Sequence, residues 1–168
     1  KFKLWKERPD IFVRDVFNVE PDAWQIEVLQ AFSKCNRIAM KSSKGVGKSS
    51  VLAFCAWNFI LTRPNPKMVA TSISGENLAD GLWAELSKWQ QKSPLLKSQF
   101  TWTKTRIFAN DYPETWFLSA RTWAKNADAS QQADTLAGIH ADYVLFLLDE
   151  VGGIPDGVMA AAEAGLSS

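Results

Sequence analysis

A chain of 168 residues, 46% hydrophobic and 22% charged, carries enough apolar material for one domain with a buried core. Its formal net charge of +1 excludes an overall basic field for attracting nucleic acid, although a local basic patch remains compatible. Two cysteines, Cys35 and Cys55, exclude a disulfide framework or a four-cysteine metal site and read as reduced core thiols. The longest apolar run, 51–61, falls short of the roughly 20 residues of a membrane span.

Residues 1–20 read as a lead-in segment with short amphipathic stretches around 11–17, and residues 21–168 as the main domain. Pro21-Asp22 opens a helix in which Trp24, Val28, Leu29 and Phe32 fall at helical spacing. Arg37-Ile38-Ala39-Met40 is a short buried strand that stops at the polar loop 41–47. A helix follows from Lys48 to about Leu61, ended by Pro64 and Pro66. Lys67-Met68-Val69-Ala70-Thr71 reads as a second buried strand. A helix near 74–91 comes next, with Leu78, Leu82, Leu86 and Trp89 as its core stripe. Alternation over 98–120 predicts strands with a turn at Asn110-Asp111-Tyr112-Pro113. After a polar segment, 125–138, comes the strongest strand, 143–148, and Pro155 starts a last helix over about 156–164. Strands alternating with helices indicate an α/β fold with a mainly parallel sheet covered by helices on both faces. The eight tryptophans are scattered, which suits core mass better than a stacking platform for bases.

Two motifs carry chemistry. The first is Lys41-Ser42-Ser43-Lys44-Gly45-Val46-Gly47-Lys48-Ser49-Ser50, set between a buried strand and a helix start. Backbone N–H groups and the positive end of a helix can hold phosphates there. Gly47 permits close approach, Lys48 reaches the β- and γ-phosphates, and the Ser49 hydroxyl binds Mg²⁺. Ser42 stands where the consensus has glycine. Lys41 and Lys44 are either extra phosphate contacts or solvated side chains.

The second motif is Asp149-Glu150 at the end of the apolar run 143–148. A buried strand delivers both carboxylates to the ligand crevice at the C-terminal edge of an open sheet. Asp149 suits the magnesium shell. Glu150 suits the orientation and deprotonation of an attacking water, and a glutamate beside the magnesium aspartate favours water over a bound acceptor. Upstream, Pro21-Asp22-Ala23-Trp24-Gln25 holds a glutamine whose amide can pair with adenine N6 and N7, or can simply be an exposed helix side chain.

These pieces, with Ser119-Ala120-Arg121-Thr122-Trp123 and Thr135-Leu136-Ala137-Gly138-Ile139-His140, resemble the ATPase domain of tailed-phage large terminase subunits over about residues 20–165. The resemblance implies a P-loop NTPase of the RecA-like type, with ATP and Mg²⁺ as cofactors and Gln25 as adenine reader. It implies an arginine completing the site from the same or a neighbouring subunit, for which Arg121 is the candidate and Arg106 and Lys125 are weaker ones. It further implies double-stranded DNA, a portal protein and a small terminase subunit as partners. A homo-oligomeric ring, taken as a pentamer, would act on the procapsid in the host cytoplasm, with no membrane role. His140 is read as a loop residue without a catalytic task.

Family members place the strand after the acidic pair between the phosphate-loop strand and the acidic strand, and continue into an RNase H-like nuclease domain. The residues here are therefore expected to belong to a longer protein. Three other readings stay open. One is a superfamily 2 helicase, against which Val151-Gly152 after the acidic pair argues mildly. The others are a non-hydrolysing nucleotide-binding assembly module and a small-molecule P-loop kinase.

Overall fold

The computed structural model describes residues 1–42, 48–72, 75–122 and 141–149. The predicted last helix, together with Lys125 and His140, lies outside them. The described elements alternate as the sequence suggests. In order they are α1 (Phe2–Glu7), α2 (Pro9–Phe17), α3 (Ala23–Ser33), β1 (Arg37–Ser42), α4 (Lys48–Thr62), β2 (Lys67–Ser72), α5 (Gly75–Leu78), α6 (Ala84–Gln91) and α7 (Pro94–Gln99). Then follow β3 (Phe100–Trp102), β4 (Arg106–Ala109), β5 (Phe117–Thr122) and β6 (Val144–Asp149).

The six strands form one mixed sheet in the order β1-β6-β2-β5-β4-β3. β1, β6, β2 and β5 run parallel, while β4 pairs antiparallel with β5 and β3 antiparallel with β4. The apolar strands explain the parallel part. Met68, Val69, Ala70, Val144, Leu145, Phe146, Leu147 and Leu148 are all fully buried, as strands covered on both faces require. Met68, Ala70, Leu118, Leu145 and Leu147 join the main core under the helices, whereas Val69, Phe146 and Leu148 are buried outside that cluster. α4 lies in the middle of the core, with every residue from Val51 to Leu61 buried.

Several expectations need correcting. Residues 1–20 are more than a lead-in. Pro9 starts α2 and Asn18 ends it in the left-handed conformation, and Trp5, Phe12, Val13 and Phe17 enter the same core as α4. The helix over 74–91 is interrupted by a π-helical turn, Ala79–Trp83, inside which Gly81 leaves helical geometry at φ −97°, ψ −108°. Residues 94–99, part of which reads as strand, form a helix instead. The Ser93 hydroxyl caps it by accepting the Leu96 N–H, and Pro94 fits its first turn.

Cys55 is buried as expected, but Cys35 is exposed at the end of α3. No strand separates β1 from β6 among the described residues. The two pair directly along six residues, from Arg37↔Val144 to Ser42↔Asp149. Direct pairing satisfies the backbone groups that two such apolar strands would otherwise bury unbonded.

Candidate nucleotide site

Parallel register decides where the chemistry-bearing residues meet. Ser42, the last residue of β1, pairs with Asp149, the last residue of β6, and Asp149 pairs on its other side with Ser72, the last residue of β2. Three strands thus finish level at the C-terminal edge of the sheet, where ligands of open α/β folds bind. α4 begins at Lys48, six residues after the end of β1 in the chain. Lys48, Ser49 and Ser50 are half-buried in the first turn of α4, and Lys41 is exposed at the end of β1. The predicted loop residues Ser43, Lys44, Gly45, Val46 and Gly47, and the predicted base Glu150, lie outside the described residues.

The donors fit the expected ion. A serine hydroxyl and an aspartate carboxylate are hard oxygen ligands of the kind Mg²⁺ takes. The start of a 15-residue helix brings N–H groups that have no acceptor within the helix, and a partial positive charge, to the same edge.

No protein-family model matches the chain. A curated relative, the "Probable terminase, large subunit" of Enterobacteria phage P7, is 24% identical over 146 residues, covering 84% of this chain and 28% of the relative. Among solved structures, the crystal structure of the HK97 bacteriophage large terminase matches with a TM-score of 0.60 at 14% identity, over 86% of this chain and 37% of that one. The chain is thus similar in sequence to one phage terminase large subunit and in fold to another. It spans under two fifths of the length of either protein.

Three predicted residues have geometry that the sequence reading did not anticipate. Ser50 turns toward α6, where its Oγ donates to Glu85 Oε1 at 2.7 Å; the Trp89 indole N–H donates to the same oxygen at 2.9 Å. Glu85 thereby ties the first turn of α4 to a helix 35 residues away. Sequence reasoning missed it because it sits beside Leu86 of the core stripe and looks like ordinary surface charge.

Gln25 is nearly buried, and its side-chain carbonyl accepts the Asp22 N–H at 2.9 Å while the Asp22 carboxylate accepts the Gln25 N–H. That is a reciprocal capping box. The amide is thus engaged in starting α3, a task the Asp-x-x-Gln spacing could have revealed.

Arg121 stands one residue before the end of β5, level with Thr71 of β2 and Leu148 of β6. β5 is three strands from β1, about 14 Å at ordinary strand spacing. Alternation puts Arg121 on the face opposite Ala120 and Thr122, which line a cavity with Leu78 and Trp83 of the helical layer. Burial lowers its pKa from the usual arginine value. Arg106 is held elsewhere, donating to the Pro113 carbonyl at 2.6 Å with its guanidinium 4.4 Å over the Phe117 ring.

Proposed function

We propose that this chain hydrolyses ATP to drive translocation of double-stranded DNA into a viral procapsid. The main support is the Ser42↔Asp149 pairing, which sets the strand leading into a phosphate-loop sequence beside the acidic strand end. Lys48 binds the β- and γ-phosphates, and the loop's backbone N–H groups surround them. Ser49 and Asp149 would hold Mg²⁺, which would neutralise charge on the transferred phosphoryl group. Glu150 orients the attacking water and accepts its proton. Arg121, three strands from β1, serves the nucleotide of a neighbouring copy in a ring better than its own. A portal protein and a small subunit complete the machine in this reading.

The experiment is DNA-stimulated ATP turnover. Glu150→Gln is expected to lower it at least a hundredfold with ATP binding retained, and Lys48→Ala to remove binding itself. Unchanged turnover in Glu150→Gln would sink the hydrolytic reading.

A further inference from the structure

The first turn of a helix is its least restrained part, because its N–H groups have no acceptor within the helix. In α4 that turn carries Lys48 and Ser49, so whatever grips it from outside bears on the site. Ser50 supplies such a grip, its Oγ donating to Glu85 Oε1 of α6 at 2.7 Å.

Glu85 is built as an anchor. Its side chain is only 19% exposed, and the same Oε1 accepts the Trp89 indole N–H at 2.9 Å, with Lys88 Nζ 3.7 Å away. The carboxylate is therefore fixed within α6 before it meets Ser50. Trp89 is itself buried against Phe17 and Phe54, with ring centroids 5.3 and 4.8 Å apart, so the anchor reaches down to the aromatic core. Glu85 also comes two residues after the π-helical turn Ala79–Trp83, an irregularity of a kind frequent at functional sites.

Helix geometry turns this one bond into an orientation for the whole turn. Successive side chains stand about 100° apart around an α-helix. With Ser50 held toward α6, Ser49 points about 100° round the axis and Lys48 about 200°, on the side away from α6. In agreement, Lys48 lines a cavity with Trp24 of α3 and Met40 of β1. Any rotation of the first turn would swing Lys48 and Ser49 together.

We propose that Glu85 is a positioning residue for the phosphate site: through Ser50 it fixes the rotation of the first turn of α4, and so presents Lys48 and Ser49 to the phosphates and magnesium of a nucleotide. The inference rests on the nucleotide-binding reading above and adds what holds the phosphate-binding turn in place. Glu85 acts without touching nucleotide or metal, and the Ser50 hydroxyl serves α6 rather than phosphate.

Titration calorimetry of the full chain with MgATP and magnesium tripolyphosphate tests it. Ser50→Ala and Glu85→Ala are each expected to weaken both probes about tenfold, and the double variant to match the weaker single within about twofold. Glu85→Gln keeps an oxygen acceptor for both donors and is expected to bind within about threefold of wild type. Trp89→Phe removes the other bond to Glu85 and disturbs the packing of α6, but leaves Ser50 its acceptor. It is expected to bind both probes as the wild type does. Circular dichroism verifies that each variant is folded; if Glu85→Ala is not, Ser50→Ala against Trp89→Phe decides.

Affinity in Ser50→Ala within about twofold of wild type overturns the proposal. So does weak binding by Ser50→Ala beside wild-type binding by Glu85→Ala, which would mean that Ser50 contacts the ligand itself. Equal weakening in Trp89→Phe overturns it as well, since any loosening of α6 would then suffice. In all three cases binding by the wild type leaves the nucleotide reading standing. A wild type that binds neither probe overturns both together.

Discussion

Asp10 is almost fully buried on α2 and accepts from two arginines, Arg8 at 3.0 and 3.1 Å and Arg14 at 2.8 Å; Arg14 in turn holds the exposed Glu20 at 2.7 and 2.9 Å. The hydrogen bond from Arg8, with help from Arg14, lowers the Asp10 pKa to about 2 against the opposing effect of burial. A carboxyl whose folded pKa lies below its unfolded one stabilises the fold above the unfolded value, near 4. That stability is lost as pH falls toward 2. Asp10→Asn should therefore lower the unfolding free energy by about 2 kcal/mol at pH 7, and urea titrations should show the difference shrinking between pH 4 and pH 2. Arg63 is the opposite case. It is fully buried, no carboxylate pairs with it among the described residues, and burial pushes its pKa down to about 10. It is kept by the Phe59 and Phe32 rings, at 4.4 and 5.2 Å, and by the Asn58 amide oxygen and Thr62 hydroxyl at 3.2 and 3.0 Å. Its place beyond the end of α4 puts the charge near the negative pole of that helix.

At the level of elements, the tie between α4 and α6 matters most for the site. Two bonds cross it: Ser50 Oγ to Glu85 Oε1, and the buried Trp57 indole N–H to the Leu86 carbonyl at 3.0 Å. The first turn of α4, which carries Lys48 and Ser49, is thus fastened to the helix that follows the π-helical turn at Gly81. Glu85→Ala strands both Ser50 Oγ and the Trp89 indole, so it should cost about 2–3 kcal/mol. Ser50→Ala removes one partner of the same bond and should cost about 1 kcal/mol. A double-mutant cycle by urea unfolding should find the two losses non-additive by at least about 0.5 kcal/mol. Strict additivity would mean that the two side chains act independently.

For the molecule as a whole, the tryptophans act as staples between distant segments. Trp116 donates to the Ile60 carbonyl 56 residues away, Trp83 to Thr103, and the Asn58 amide reaches the Trp5 carbonyl across 53 residues. Phe12, Phe17, Phe54 and Trp89 continue this packing as edge and stacked ring pairs, which join α2 to α4 and α6. Residues 1–20 are therefore part of the core. Phe12→Ala should cost about 3–5 kcal/mol, a large share of the roughly 5–15 kcal/mol that holds an ordinary domain. A chain lacking residues 1–20 should lose its cooperative urea transition, as followed by tryptophan fluorescence; a sharp transition at the wild-type midpoint would count against this.

What the sequence alone determined was local in cause. Continuous apolar runs identified β1, β2 and β6. Polar punctuation and prolines bounded α4, and the loop 41–50 and the pair Asp149-Glu150 stood out by residue type and neighbours. Those signals survive because strand burial and helix termination are decided within a few residues. The weaker boundaries failed where a single residue departs from the local pattern, as at Gly81 and at the Ser93-Pro94 cap. The tertiary structure alone decided which strand ends stand level and that Ser50 faces Glu85. Each depends on register between segments far apart in the chain, and in a parallel sheet that register is set by long crossovers and shared core packing rather than by any neighbouring residue.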